Sequence, residues 1–469
     1  MSADRAIDRR CVVKKLLSSA LLVALLAPAL ASSTWIVGPD EYFRQIQPAI
    51  DAALPGDIIL VKPGTYDSFV LSKALRIVGS GEGLTMVTDA GSDNHIAIKV
   101  TALDGEALIA SVRAEALYVP FSAWILPSGR LVLCHLTCDS TQDHDIAVGL
   151  YQADAAWVQN VTQSYDPDQR PNFFSPAPGL RANECVKLFA SQCYFHAADS
   201  SYVGSIRGGA GIWLEDETEA FIAETTSIGG SGGLGYWGWD CWFSEQGGPG
   251  GPGIYLYNDS NPREGPAVAH VFGRPLDPDH LIQGGVGGAG TKDTLYGQHC
   301  DYYAPGGDGG EGIWVEDGWC KIAGVTPEGG LGGFGDPPGD EGPPTRGNVQ
   351  DIGQLATTTV EGDGKLGTTA TFSFHGLNGD RLIVAYSTAL DVIESPAWQG
   401  QPLQVSPTGT FGLLPAGTIG PSGTVSVPVM IPSDAPRGQP FYVQGIMLRG
   451  TQRPILSNIS MLVTTPVWP

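Results

Sequence analysis

The chain has 469 residues, with 49 Asp and Glu against 26 Lys and Arg, a formal net charge of −23. Such an acidic chain repels nucleic acid and anionic lipid, its 42% hydrophobic content supports a large core, and its length allows two or three domains. Sixty-four Gly and 35 Pro speak for turns rather than long helices.

Residues 1–31 read as a secretory signal peptide. Arg9, Arg10, Lys14 and Lys15 form its basic start, 16–26 its apolar run, and Ala29-Leu30-Ala31 its cleavage site. The run is short for a membrane span, with a retained anchor as the alternative. The expectation is a secreted protein, extracellular, at the cell surface or in a periplasm, with no membrane span after cleavage. Cleavage removes five basic and two acidic residues, leaving a net charge of −26. That charge disfavours a polyanionic ligand unless Ca²⁺ bridges the two. It also keeps a Gly-rich chain soluble. Seven cysteines remain after Cys11 is lost, an odd number. Export permits disulfides, but their pairing stays open. In an unbroken strand Cys134 and Cys138 share a face about 13 Å apart, too far to bond. No second pair stands at zinc spacing. Both read as buried core.

A helix is expected from Asp40, as N-cap, to Pro55-Gly56, as stop. Tyr42, Phe43, Ile46, Ala49, Ile50 and Ala53 form its apolar stripe. Short strands follow at 58–61, 69–71 and 75–78, parted by Lys62-Pro63-Gly64-Thr65 and closed by Gly79-Ser80-Gly81. Each is too short to bury its apolar face alone. Wound into a stack they share an interior, and the helix covers its open end.

Ile46-Gln47, Ala49-Ile50-Asp51-Ala52-Ala53 and Pro55-Gly56-Asp57, then Val61, Pro63-Gly64-Thr65-Tyr66, resemble the opening of secreted right-handed parallel β-helix proteins of the pectate-lyase-like superfamily. The match covers about forty residues. It implies a fold more than an activity, because that superfamily holds lyases, hydrolases, epimerases and adhesins.

Further apolar runs at 96–100, 107–112, 117–119 and 131–133 suit more strands. From 149 to about 325 a repeat begins with Gly and a branched apolar residue: Gly149-Leu150, Gly179-Leu180, Gly211-Ile212, Gly253-Ile254 and Gly312-Ile313. Gly211-Ile212-Trp213-Leu214-Glu215-Asp216 and Gly312-Ile313-Trp314-Val315-Glu316-Asp317 are close copies. The widening gaps between starts point to insertions into a persistent layer. Within them one glycine spacing occurs at 229–235, 284–290 and 329–335. No Asp lies inside these clusters, against a calcium-binding roll, and no Lys-Ser/Thr follows, against a phosphate loop. They are expected to be packed or flexible turns.

Residues 336–347 read as a Pro/Gly/acidic linker after a β-helix over 32–335. Beyond it, 348–469 carries six or more short strand-like runs, as in a small β-sandwich. Its tail, 440–463, loosely resembles terminal β-domains of secreted bacterial proteins. The expected fold is therefore all-β: a right-handed parallel β-helix with an N-terminal capping helix, then a small β-sandwich.

Chemistry is harder to find. A polysaccharide lyase on this scaffold needs a base, and Arg181, Lys187 and Arg207 are candidates, as is the polar cluster Asp143, His144 and Asp145. The polygalacturonase motifs are absent. Glu215-Asp216 and Glu316-Asp317 are candidates for a carboxylate ladder holding Ca²⁺. Trp213, Tyr255, Trp314, and Trp237 and Trp239 in a Gly-flanked loop, are candidates for stacking on sugar rings. Each has a plainer reading, as solvated turn or packed aromatic. The expected function is binding to carbohydrate or at a surface, with a polysaccharide as ligand and no cofactor beyond Ca²⁺. The alternative is a lyase or hydrolase acting in a groove of the helix. Oligomeric state is not legible here.

Overall fold

The computed structural model describes residues 32–468, apart from 91, 93–94, 117–118, 126–127, 141–145, 166–176, 201–204, 238–243, 259–264, 275–280 and 295–299. The signal segment thus lies outside the described residues, as do Asp143, His144, Asp145 and Trp239. Among the described residues no helix is long and apolar enough to cross a membrane.

The chain coils into layers, and each layer adds one strand to each of three faces. The first face is a nine-stranded, wholly parallel sheet from Phe69–Leu71 through Val148–Tyr151, Leu180–Asn183, Ile212–Glu215, Ile254–Tyr257 and Ile313–Val315 to Thr345–Arg346. A sixteen-stranded sheet supplies the other two faces, bending where Ser111, His135, Asn160, Gln192 and Glu224 take φ of 48–59°. Each of these side chains sits in the left-handed region, unfavourable for L-residues by about 1–2 kcal/mol. Neighbouring strands hold the turn in place: Cys134 pairs with Gln159 and Leu136 with Val161, so His135 lies in register over Asn160. Parallel crossovers of this kind are right-handed.

Like residues meet inside. Ile59, Ile77, Ile109, Leu133, Val158, Ala190, Ile222, Val271 and Ile322 form one aliphatic column through successive layers. The helix Ile46–Ala52 closes the first layer with Ile46, Ala49 and Ile50. It is shorter than its stripe suggests. Tyr42 is 92% exposed, and Gln45, not Asp40, is the N-cap residue, without a side-chain cap bond. Gln45 Oε1 instead accepts from the Asp67 amide at 2.9 Å, tying the helix to the next turn.

The bend at His135 also corrects the cysteine geometry. A left-handed residue between them puts Cys134 and Cys138 on opposite sides. Cys138, Cys185, Cys193 and Cys320 line the interior, while Cys134 faces outward into the seam with the C-terminal domain. All five are free thiols, pushed well above the ordinary range by burial. Cys300 is disulfide-bonded.

The glycine clusters are not turns. Segments 229–235, 284–290 and 328–335 run outward from the third face, and 206–211, 247–253, 305–312 and 337–344 run back to the first. The amides of Gly229, Gly232 and Gly235 donate to the carbonyls of Gln283, Val286 and Ala289, and those of Gly284, Gly287 and Gly290 to Glu328, Leu331 and Phe334. The intervening Gly230, Gly285 and Gly288 donate across to Gly209, Gly251 and Gly248 of the returning layer. A bond pattern of three, made only to neighbours, is that of polyproline II helices. The result is a two-layered bundle in which two residues of every three are glycines set against other backbones. A Cβ on Gly230 would lie 1.9 Å from the Ala198 carbonyl oxygen.

The stretch 336–347 is correspondingly more than a tether. Pro337, Asp340 and Pro343 accept from Gly306, Gly309 and Gly312, which makes it the last member of this bundle. Thr345–Arg346 and Val349–Asp351 then end the two parallel sheets.

The C-terminal domain is a sandwich. Thr357–Glu361, Thr369–His375 and Thr424–Met430 form one antiparallel sheet. Pro440–Leu448 lies between Ile455–Val463 and Arg381–Ser387 in the other. Phe372, Phe374, Val443, Met447 and Leu462 fill the space between. The second sheet is buried on both sides, because Tyr442, Ile459, Met461 and Val463 press on the outer side of the second β-helix face. There Trp157, Phe189, Phe221 and His270 stack one per layer, at 5.5, 5.2 and 4.6 Å between ring centroids. Every residue of Ile455–Val463 is buried in consequence.

Candidate functional site

The outer side of the first face is built by alternation. In Ile212–Glu215, Ile212 and Leu214 point inward, so Trp213 and Glu215 point out. Because the strands pair without offset, Arg181, Trp213, Tyr255, Trp314 and Arg346 fall in one column. Trp124, Tyr151, Asn183, Glu215 and Tyr257 fall in the adjacent one. Six half-buried or exposed rings thus line this side of the stack, with Arg181 and Asn183 filling the one layer between Tyr151 and Trp213 that has no ring. Trp124 stacks on Tyr151 with centroids 4.6 Å apart, Trp213 meets Tyr255 at 5.3 Å, and Tyr255 meets Trp314 at 4.7 Å.

Arginines flank the rings. Arg181 donates from Nε and Nη2 to Glu215 at 2.7–3.0 Å, and its guanidinium lies 5.4 Å from the Trp213 ring centre. Arg207 and Arg346 both donate to the buried Glu311, at 2.9 and 3.0 Å, and lie 4.6 and 4.7 Å from the Trp314 ring. A planar cation held by a carboxylate beside an indole is ordered in one geometry. Glu311 and Arg207 come from the returning glycine-rich layer, so the bundle helps to build this surface. The Tyr255 hydroxyl donates to Glu316. Burial, then that hydrogen bond, raises Tyr255 well above the usual tyrosine range. It therefore stays a neutral donor.

Most residues singled out from the sequence thus meet on one surface: Arg181, Arg207, Trp213, Glu215, Asp216, Tyr255, Trp314, Glu316 and Asp317. Their partners Asn183, Tyr257, Glu311 and Arg346 carried no motif. Only the register, known once Gly211, Gly253 and Gly312 are seen to stack, reveals them. Trp237 lies apart, in the strand Gly235–Trp237 beside Ser244–Glu245.

Arg181 and Arg207 are both engaged as ion-pair donors. The pairs Glu215-Asp216 and Glu316-Asp317 do not form a carboxylate ladder, because Tyr257-Asn258 intervenes, setting them two layers, roughly 9.6 Å, apart. Asn183 donates to Asp216, and Asn258 to Asp317. Among the described residues no three His, Cys, Asp or Glu side chains are placed to hold a metal ion. No protein-family model, no curated protein and no solved structure matches this chain.

Proposed function

We propose that this protein is a secreted glycan-binding protein, and that a polysaccharide lies along the first face of its β-helix. The observation that carries the reading is the in-register column Trp213–Tyr255–Trp314 with arginines at its flanks. Aromatic faces stack on the apolar faces of sugar rings. Ordered Arg, Asn and Glu side chains beside them offer hydroxyl groups both donors and acceptors. Rings on three successive layers suit a repeating ligand, and a rigid stack leaves little ordering entropy to lose on binding. The opening's resemblance to the pectate-lyase-like superfamily supports carbohydrate as the ligand class, and the apparent signal supports export. The acidic surface favours a neutral glycan over a polyuronate.

Affinity electrophoresis of residues 32–469 through gels containing neutral and acidic polysaccharides tests this. Retardation by at least one neutral polysaccharide is expected, abolished by Trp213→Ala with Trp314→Ala. Equal mobility of wild type and variant in every gel would rule the reading out.

A further inference from the structure

A second polar site lies away from this face, where the C-terminal domain meets the ring stack of the second face. A cavity of about 220 Å³ opens there between Phe221 and His270 on one side and Trp398, Gln401 and Glu394 on the other. Lys187 projects into it and donates to Glu219 and, at 2.6 Å, to Glu394. His270 Nε2 lies 3.3 Å from Glu219 Oε1. Both domains therefore contribute charged groups to one small space.

Two residues lining it carry a buried side-chain nitrogen without a well-formed hydrogen bond, His270 Nε2 and Gln401 Nε2, and the network shows which kind the second is. Trp157 Nε1 can only donate, and it donates to Gln404 Oε1 at 3.0 Å. Gln404 Nε2 must then donate, and does so to Gln401 Oε1 at 2.7 Å. That fixes the Gln401 amide. Its Nε2 is left without a hydrogen-bond partner, on a residue 4% exposed. A buried donor without an acceptor is unfavourable by about 1–3 kcal/mol, which an incoming acceptor recovers.

We propose that this seam pocket binds a single neutral sugar ring. A hydroxyl both accepts, as Gln401 Nε2 requires, and donates, as Glu219 and Glu394 require. Trp398 and Phe221 supply apolar walls for the ring. The volume holds one ring and not a chain. Two carboxylates against one lysine disfavour a uronic acid. A charged Glu219 suits accepting hydrogen bonds from a ligand rather than donating a proton to it. Glycoside hydrolysis needs one carboxyl to carry a proton. Burial would raise Glu219, but His270 and Lys187 beside it outweigh that and hold it below the usual range. Burial likewise opposes charge on Lys187, yet its two carboxylate partners raise it. This site is independent of the glycan face.

Saturation-transfer NMR on the 32–469 chain tests it, with glucose, galactose, mannose, N-acetylglucosamine and galacturonic acid as probes. At least one neutral sugar should receive saturation, and galacturonic acid should not. Gln401→Leu should weaken that sugar at least about tenfold. So should Glu394→Ala, whose side chain is 63% exposed and so tolerates truncation. Trp213→Ala with Trp314→Ala should leave it unchanged. No transfer to any neutral sugar, or transfer unaltered in both pocket variants, overturns the proposal. Loss of transfer in the Trp213/Trp314 variant alone would assign the signal to the glycan face and overturn it equally.

Discussion

Gly285 and Val286 are chain neighbours with opposite roles. A Cβ on Gly285 would stand 2.0 Å from the Gly230 carbonyl oxygen, whereas Val286 is 45% exposed. Gly285→Ala should therefore lower stability by roughly 3 kcal/mol or more, through displaced backbone, while Val286→Ala stays within about 0.5 kcal/mol. Urea denaturation followed by circular dichroism measures both, and equal midpoints would contradict the close-packed bundle. Gln159 makes a different kind of contact. Its amide donates to the Met461 carbonyl at 2.9 Å and accepts from the Met461 amide at 2.6 Å, joining the two domains as a strand neighbour would. Gln159→Leu leaves both backbone groups buried and unpaired. A loss of about 2–4 kcal/mol is expected in the same assay, and a loss under about 0.5 kcal/mol would show the pairing to be idle. Asp380 contributes to acid sensitivity. Burial favours its protonated form, but Arg449, donating to both oxygens at 2.8 Å, prevails and lowers it below the ordinary 3.8. A carboxylate depressed in the folded state stabilises above its unfolded pKa and loses that contribution as pH falls through the folded one. The wild type should thus weaken progressively below about pH 4. Asp380→Asn should be less stable at pH 7 and flatter across that window, and parallel pH profiles would remove the ion pair from the account.

At the scale of elements, the C-terminal sandwich is the cover of the second β-helix face. Without it Trp157, Phe189, Phe221 and Phe272 would lie bare in one contiguous patch, of the size that drives association. A chain ending at residue 351 should bind a hydrophobic dye and aggregate where 32–469 stays monodisperse. A monodisperse, dye-silent fragment would mean that the seam is dispensable. The sequence made some of these elements legible and hid others. Repeats beginning at Gly211, Gly253 and Gly312 are readable because stacking puts like on like, and the strands that follow those glycines are indeed neighbours in one sheet. The glycine clusters were visible as a pattern, but their conformation was not. Polyproline II has no alternation of apolar and polar residues, and its clue was the period of three. The seam escaped notice because Val132, Trp157 and Phe189 look like any outward strand residues until a second domain covers them. Cys134 is buried as expected but faces the seam, away from Cys138, because one left-handed residue, His135, resets the alternation, and nothing in its side chain announces that.

For the whole molecule, stacking without offset is what converts separate short motifs into a surface. Six rings from five layers, and three arginines anchored to buried carboxylates, make a strip roughly 24 Å long from Trp124 to Trp314. The glycine bundle widens the molecule beside that strip and delivers Arg207 and Glu311 to it. A strip that binds by repeating contacts should reward ligand length. Isothermal titration of 32–469 with oligosaccharides of the polysaccharide that retards it, increasing one sugar at a time, measures this directly. Affinity should rise with each added unit until the oligomer spans about 24 Å and then level off. Affinity that is independent of length from the first unit, or unchanged when Trp213 and Trp314 are both alanine, would contradict a glycan laid along this face.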